Sequence, residues 1–279
     1  MNAGDPFVQR FIEEIIAEDV GLGDITSLAV IPEAAGFQGI MSAREDMVVA
    51  GLPIALEVFR KLAPLAALQA DVSDGDQVKA GTVLARLKGS ARGLLTAERT
   101  ALNLLQHLSG MSTLTRAYVD RIEGTGVVLL DTRKTIPGLR ALAKYATRVG
   151  GARNHRMRLD SGVLIKDNHI AVCGGITEAV ARAKATGFSP IEVEIDSLDQ
   201  VNAAVEAGAE VLLLDNMDVS TLSRAVKIVA GRARTEASGG VNMENIREVA
   251  ETGVDFISVG RITQSAPAVD IGLDWNTIC

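Results

Sequence analysis

The stretch "DTRKTIPGLR", beginning at Asp131, follows the apolar run "VVLL" and sets Arg133 beside Lys134. Adjacent like charges cost energy unless water or an anion separates them, so the pair is a candidate anion grip. Arg133 can hold a carboxylate or phosphate through two parallel hydrogen bonds, whereas Lys134 and Lys166 supply compact positive charge. Similar polar groups follow other strand-like runs: Lys166 with Asp167, Glu194 with Asp196, Asp215 with Asn216, Ser238 with Gly239 and Gly240, and Gly260 with Arg261. The "SGG" segment lets backbone N–H groups close around an anion, and a helix starting near Val241 or Asn242 adds its N-terminal dipole. Glu194 and Asp215 suit ribose hydroxyls or a Mg²⁺ ion accompanying a pyrophosphate; alternatively, they pair with the two lysines. His155 and Arg156 in "GGARNHRMR" are candidate ligand contacts. His107, in the apolar helical "LLQHLSG", suits packing, and His169 in "KDNHI" suits support of a neighbour.

Charge distribution narrows the ligand. The 279-residue chain has a formal charge of −7, which argues against general nucleic-acid binding. Between 131 and 169, however, Arg133, Lys134, Arg140, Lys144, Arg148, Arg153, Arg156, Arg158 and Lys166 face only Asp131, Asp160 and Asp167. Tyr145 is the sole aromatic residue there, a poor surface for stacking bases, so a small polyanion fits better. Arg140, Lys144 and Arg148 follow helical spacing and suit a solvated basic face. Cys173 and Cys279 are the only cysteines, which suggests a reducing cytosol without a disulfide framework. The start "MNAGDPFVQR" lacks signal-peptide features, and no run reaches the ~18 apolar residues of a membrane span, so a cytoplasmic protein is expected.

Strands must position these groups. The spacing predicts a helix over "PFVQRFIEEIIAEDV", then an α+β module containing "FQGIMSA", "MVVAG", "PIALEVFRKL" and "DGDQVKAGTVLARLKG". A long helical stretch follows, with a break expected at Gly110. Beyond it "VVLLD", "VLIKD", "IEVEID", "VLLLDN", "RTEASGG" and "FISVG" alternate with helical segments, which favours parallel βα units with both sheet faces covered. No G-x-G-x-x-G follows the first of these strands, so a β/α barrel is preferred to an open dinucleotide-binding sheet. In such barrels the C-terminal strand ends build the active site.

The letters "AERTALNLLQHLSG", "DTRKTIPGLRALAKYATRVGG", "NHRMRL", "VLIKDNHI", "EVEIDS", "LLLDN", "EASGG" and "ETGVDFISVG" closely resemble the quinolinate phosphoribosyltransferase family. The resemblance runs from "EDVGLGDITS" to "DIGLDW". It implies an N-terminal α/β sandwich over 1–109, an incomplete, about seven-stranded β/α barrel over 110–269, and a return of 270–279 to the sandwich. It further implies a homodimer that joins quinolinate to 5-phosphoribosyl 1-diphosphate with Mg²⁺, giving nicotinate mononucleotide, diphosphate and CO2 in NAD synthesis. Carried over residue by residue, Arg133, His155, Arg156 and Lys166 surround quinolinate, while Arg99 completes the neighbouring subunit's site. Lys134, Glu194, Asp215, Ser238, Gly239, Gly240 and Gly260 line the phosphoribosyl side, Lys134 and Lys166 are placed to face both ligands, and Thr132 is a further substrate-binding residue. Lys134, Lys166, Glu194 and Asp215 are the expected catalytic groups, and Glu194 and Asp215 are the metal candidates, directly or through water. Arg158, Arg261 and Gln264 depart from the family pattern, which has Gly, a small residue and His there.

Three other readings compete. A paralogue of the molybdenum-associated kind uses another anionic acceptor, a Schiff-base aldolase uses Lys166, and a nonenzymatic protein only binds an anion. Joint retention of Arg99, Arg133, His155, Arg156 and Lys166 favours quinolinate.

Overall fold

The computed structural model describes residues 3–275, which divide into two compact units, 3–114 with 266–275 and 115–265. The sequence places these divisions at 109/110 and 269/270. Residues 276–279, part of the expected returning segment and including Cys279, lie outside the described residues.

The first unit opens with α1 (Pro6–Val20), capped by Asp5, whose carboxylate accepts from the Phe7 N–H at 2.8 Å. Pro6 fits the first turn because no intrahelical donor is needed there. After α2 (Ile25–Val30) come β1 (Gly36–Ala43), β2 (Met47–Val48), α3 (Leu52–Leu62), β3 (Ala67–Ala70), β4 (Gln77–Val78), β5 (Val83–Ser90) and α4 (Ala91–Arg121). Helix α3 buries Leu52, Ile54, Ala55, Leu56, Val58 and Phe59.

Helix α4 runs through Gly110 without the expected break. Glycine has a different purpose there: a Cβ would lie 2.0 Å from the carbonyl oxygen of Pro267. The missing side chain admits a close backbone approach instead of bending the helix.

The second unit contains β6 (Val128–Leu130), α5 (Arg140–Val149), β7 (Val163–Ile165), α6 (Asp167–Cys173), α7 (Ile176–Ala185) and β8 (Ile191–Ile195). It continues through α8 (Leu198–Ala207), β9 (Val211–Asp215), α9 (Val219–Val229), β10 (Arg234–Ser238), α10 (Ile246–Glu251), β11 (Phe256–Ser258) and α11 (Arg261–Gln264). The chain then returns to the first unit as β12 (Ile271–Trp275), which pairs antiparallel with β1 in the sheet β12-β1-β5-β3. Strands β2 and β4 form a separate antiparallel pair.

The parallel sheet of the second unit has the order β6-β11-β10-β9-β8-β7. Its neighbours are consecutive in the chain except β6 and β11, the first and last strands, whose pairing joins the ends of the sequence. A parallel bridge between Leu130 and Arg153 adds a seventh position on the other side of β6. Progression around a ring, with a gap between Arg153 and β7, is the topology of an incomplete barrel. The sequence hides the seventh position because only a single residue makes the bridge. Strand β8 is buried throughout, including Glu192 and Glu194, which share a face at the two-residue strand period.

Among the described residues, no helix is long and apolar enough to cross a membrane. Gly110→Ala is expected to destabilise the protein by at least about 1–3 kcal/mol, the usual cost of overpacking. Chemical denaturation checks this; an unchanged midpoint would show that the contact with Pro267 relaxes freely.

Candidate active site

Asp131 ends β6 with its side chain fully buried. Its carboxylate accepts hydrogen bonds from Lys144 Nζ, Thr147 Oγ1 at 3.0 Å, Asn154 Nδ2 at 2.6 Å and the His155 N–H at 2.9 Å. Lys144, also fully buried, donates to the His155 carbonyl at 2.9 Å. This corrects the expected solvated basic face: Arg140 is half-buried and Arg148 exposed, but Lys144 points inward. Burial pushes the Lys144 pKa down, and the Asp131 charge opposes that shift. Strand end, helix and the following loop are therefore fastened at one point.

The next three residues form the cation turn. Thr132 Oγ1 accepts from the Lys134 N–H at 3.0 Å, and Thr263 Oγ1 donates to the Lys134 carbonyl at 2.8 Å. Arg133 is half-buried, and its Nε has no hydrogen-bond partner among the described residues. Lys134 is exposed; its Cδ would lie 3.1 Å from a Cβ on Gly260, so glycine leaves room for the lysine stem.

His155 and Arg156 follow on the loop held by Asp131. The Arg156 N–H donates to His155 Nδ1 at 2.7 Å, which assigns the ring proton to Nε2. That nitrogen lies 3.1 Å from Glu192 Oε2 and 3.7 Å from Glu236 Oε2. Burial alone would lower the His155 pKa; the Glu192 hydrogen bond and both carboxylate charges outweigh it and raise the value. Arg156 donates from Nη1 to the Gly162 carbonyl at 3.0 Å. Its pKa is lowered by burial first and then by repulsion from Arg133, a shift that an anion between the two would reverse.

Across the barrel mouth, Lys166 caps α6 and forms an ion pair with the buried Glu194. His169 Nδ1 accepts from the Lys166 N–H at 2.9 Å, so this histidine supports a neighbouring main chain. Asp215 Oδ2 instead accepts from Asn216 Nδ2 at 2.6 Å. The lysine–carboxylate alternative thus describes Glu194, while an amide holds Asp215.

The glycine turn after β10 is sterically required. Gly239 has φ 83°, and a Cβ there would lie 2.2 Å from Asn216 Oδ1. The expected helix at Val241 or Asn242 begins only at Ile246. Asn242 Oδ1 accepts from the Glu244 N–H at 2.8 Å and the Asn245 N–H at 3.1 Å, closing a side-chain turn where the helix was expected.

One cavity of about 560 Å³ is lined by Thr132, Arg133, Lys134, His155, Arg156, Lys166, Glu194, Asp215, Ser238, Gly239, Gly240 and Gly260. Arg99 lies exposed on α4 in the other unit and is not among its lining residues. His107 is partly buried with an unpartnered Nε2, and burial lowers its pKa. The sequence reasoning missed Glu192 and Glu236 as members of the cluster beneath this cavity. Their signal was a carboxylate inside an otherwise buried strand, most legible in the alternation Glu192-Val193-Glu194.

Residues 24–109 match the family described as quinolinate phosphoribosyl transferase, N-terminal domain, and residues 111–274 match its C-terminal domain. This chain belongs to the quinolinate phosphoribosyltransferase family. It is 44% identical over 270 residues to a nicotinate-nucleotide pyrophosphorylase [carboxylating] of Mycobacterium leprae, covering 94% of this chain and 95% of that protein. A probable enzyme of the same name from Bacillus subtilis is 40% identical over 96% of this chain and 93% of its own length. The solved nicotinate-nucleotide pyrophosphorylase from Francisella tularensis has a TM-score of 0.93 and 41% identity, covering 97% of this chain and 96% of that one.

Within this quinolinate phosphoribosyltransferase fold, the three departures are not equivalent. Arg158 lies outside the cavity lining and pairs with Asp160 at 3.0 Å, whereas Arg261 and Gln264 line the cavity. Lys144→Met should destabilise the protein by about 3–5 kcal/mol, because Asp131 would remain as an unpaired buried charge. Equilibrium unfolding measures the loss; a change below about 1 kcal/mol would mean that Thr147, Asn154 and the His155 N–H suffice.

Proposed function

We propose that this cavity joins quinolinate to 5-phosphoribosyl 1-diphosphate and releases nicotinate mononucleotide, diphosphate and CO2. Family membership supplies the reaction and its place in NAD biosynthesis. The observation that carries the residue assignment is the gathering of Arg133, Arg156 and Lys134 in one cavity with Glu194, Asp215 and the Gly239-Gly240 turn.

Arg133 and Arg156 bind the carboxylates of quinolinate, with His155 and Lys166 completing the acceptor side. Lys134 and Thr132 face the phosphoribosyl substrate, as do the Ser238-Gly239-Gly240 turn and Gly260. The pyridine nitrogen attacks C1 of the ribose as the C1–O bond to diphosphate breaks. Glu194 and Asp215 orient ribose hydroxyls and offset the positive charge developing at C1. The 2-carboxylate then leaves as CO2, its bonding electrons remain at C2 beside the pyridinium nitrogen, and a proton replaces it. No covalent bond to Lys166 is needed, and its amine is engaged in an ion pair with Glu194.

Mg²⁺ belongs to the same proposal. Glu194 and Asp215 provide the hard oxygen donors it prefers, and an amide at Asp215 leaves the carboxylate charge unneutralised. When bound, the ion would offset the diphosphate charge. A homodimer with Arg99 reaching the partner's site is supported by the exposure of that arginine and by the family resemblance. A cytoplasmic setting is supported by the low cysteine content.

Coupled measurement of quinolinate consumption and of diphosphate and CO2 release tests the activity. Absence of nicotinate mononucleotide, with turnover of another acid acceptor, would favour a paralogue. Arg133→Ala should raise KM for quinolinate about 10- to 100-fold, the scale of lost charged hydrogen bonds, whereas Lys134→Ala should chiefly lower kcat/KM for the phosphoribosyl donor. Equal effects on both substrates in both variants would contradict this division. Arg99→Ala should be inactive alone yet regain activity when its subunits exchange with Arg133→Ala subunits; verified exchange without recovery rules out a shared site.

A further inference from the structure

Beneath the anion-binding corner lies a charged cluster of which two members, Glu192 and Glu236, are left unused by the reaction as described. Glu192 is the second residue of β8, Glu236 comes from the middle of β10 and His155 from the loop held by Asp131. Glu236 is only 2% exposed, yet it lines both the main cavity and a second one of about 370 Å³ shared with Arg153, Gly162 and Val163. Oε1 of Glu192 and Oε1 of Glu236 are both buried with no hydrogen-bond donor among the described residues.

Two ionised carboxylates sharing such a site repel one another and each loses its water, so one proton between them is strongly favoured. The neighbouring field points to Glu236 as its holder: burial and then the Glu192 charge push its pKa up to about 7, against His155 and the Ser258 hydroxyl. The other charges around it are largely committed. Asp131 and Lys144 pair with one another behind His155, and Lys166 pairs with Glu194 across the cavity. Asp215 is held by Asn216, while Arg133, Arg156, Lys134 and Arg261 surround the space for the anions.

We propose that Glu236 is a specificity-determining residue: as a neutral acid at the floor of the acceptor subsite, it allows a dianionic pyridine to bind, and its ionisation opposes that binding. The inference rests on the reading of this cavity as the quinolinate site. A protonated Glu236 leaves Arg133 and Arg156 free to answer the two substrate carboxylates. An ionised Glu236 competes for those cations from below and adds a third negative charge. His155, Glu192 and Glu236 also form a possible donor set for a divalent cation, with all three ligand atoms within 4.8 Å of one another. The hydrogen-bond distance from His155 to Glu192, and the Arg156 charge already acting on Glu192, favour a proton.

The test is steady-state kinetics from pH 6 to 9 for the wild-type enzyme and Glu236→Gln, which keeps the shape but does not ionise. Above neutrality, wild-type KM for quinolinate should rise roughly tenfold per pH unit in the limiting case, with little change in KM for the phosphoribosyl donor. Glu236→Gln should flatten the quinolinate profile. As a measurement independent of the variant's folding, calorimetry of quinolinate binding to wild type at pH 8 in buffers of different ionisation enthalpy should show uptake of close to one proton. A wild-type slope retained in folded Glu236→Gln, or binding without proton uptake, overturns the proposal. So does a profile abolished by EDTA treatment of the binary quinolinate complex, which would indicate a cation. If wild type neither binds nor turns over quinolinate at any pH, the functional reading fails as well; an active enzyme with an unchanged Glu236→Gln profile defeats the Glu236 inference alone.

Discussion

A buried ion pair governs the geometry of the cavity corner that holds Arg133, His155 and Arg156. Asp131 and Lys144 have no exposed side-chain surface, and the carboxylate also draws in Thr147, Asn154 and the His155 N–H. Removing two charges from water costs about as much as their attraction returns, so such a pair is weak evidence for extra stability. It is strong evidence for registry, because the pair tolerates few arrangements. The end of β6, the inner face of α5 and the loop bearing His155 and Arg156 must meet at this point for the charges to be satisfied.

That constraint lets the barrel hold a cluster of like charges without collapse. Arg133 follows Asp131 by two residues, so its guanidinium starts from a fixed strand end, while Arg156 is tied through Gly162. Lys166 is restrained differently, by Glu194 and by the His169 contact to its main chain. Opposite these cations, the glycine turn owes its shape to the close approach of Asn216. Rigid attachment keeps the recognition groups separated before substrates arrive, which reduces the ordering cost of binding.

The barrel strands were legible because apolar runs alternated with helical segments, and their polar ends identified most of the cavity. Pattern alone failed where a tertiary partner decided the outcome. Lys144 has the spacing of a surface residue, but Asp131 lies thirteen residues earlier in sequence and meets it only in the folded chain. Gly110 resembles a helix breaker until Pro267 supplies the backbone that occupies its side-chain space. The Asn242 turn displaces the helix start by local hydrogen bonding, a competition that simple periodicity does not weigh. Glu192 is hidden for a related reason: it lies two residues before Glu194 on the same face of the strand, away from the polar strand end.

The gap between Arg153 and β7 gives the loop that carries His155 and Arg156 an unusual mechanical position. Residues 154–162 span the interval between Arg153 and β7, where no strand pairing is made among the described residues, and the Asn154 and Arg156 side chains hold them there through the Asp131 carboxylate and the Gly162 carbonyl. A change of sequence in this interval need not disturb strand register, because no register runs through it. The open seam thus separates the loop that carries His155 and Arg156 from the ladders that maintain the barrel, so the two can change independently.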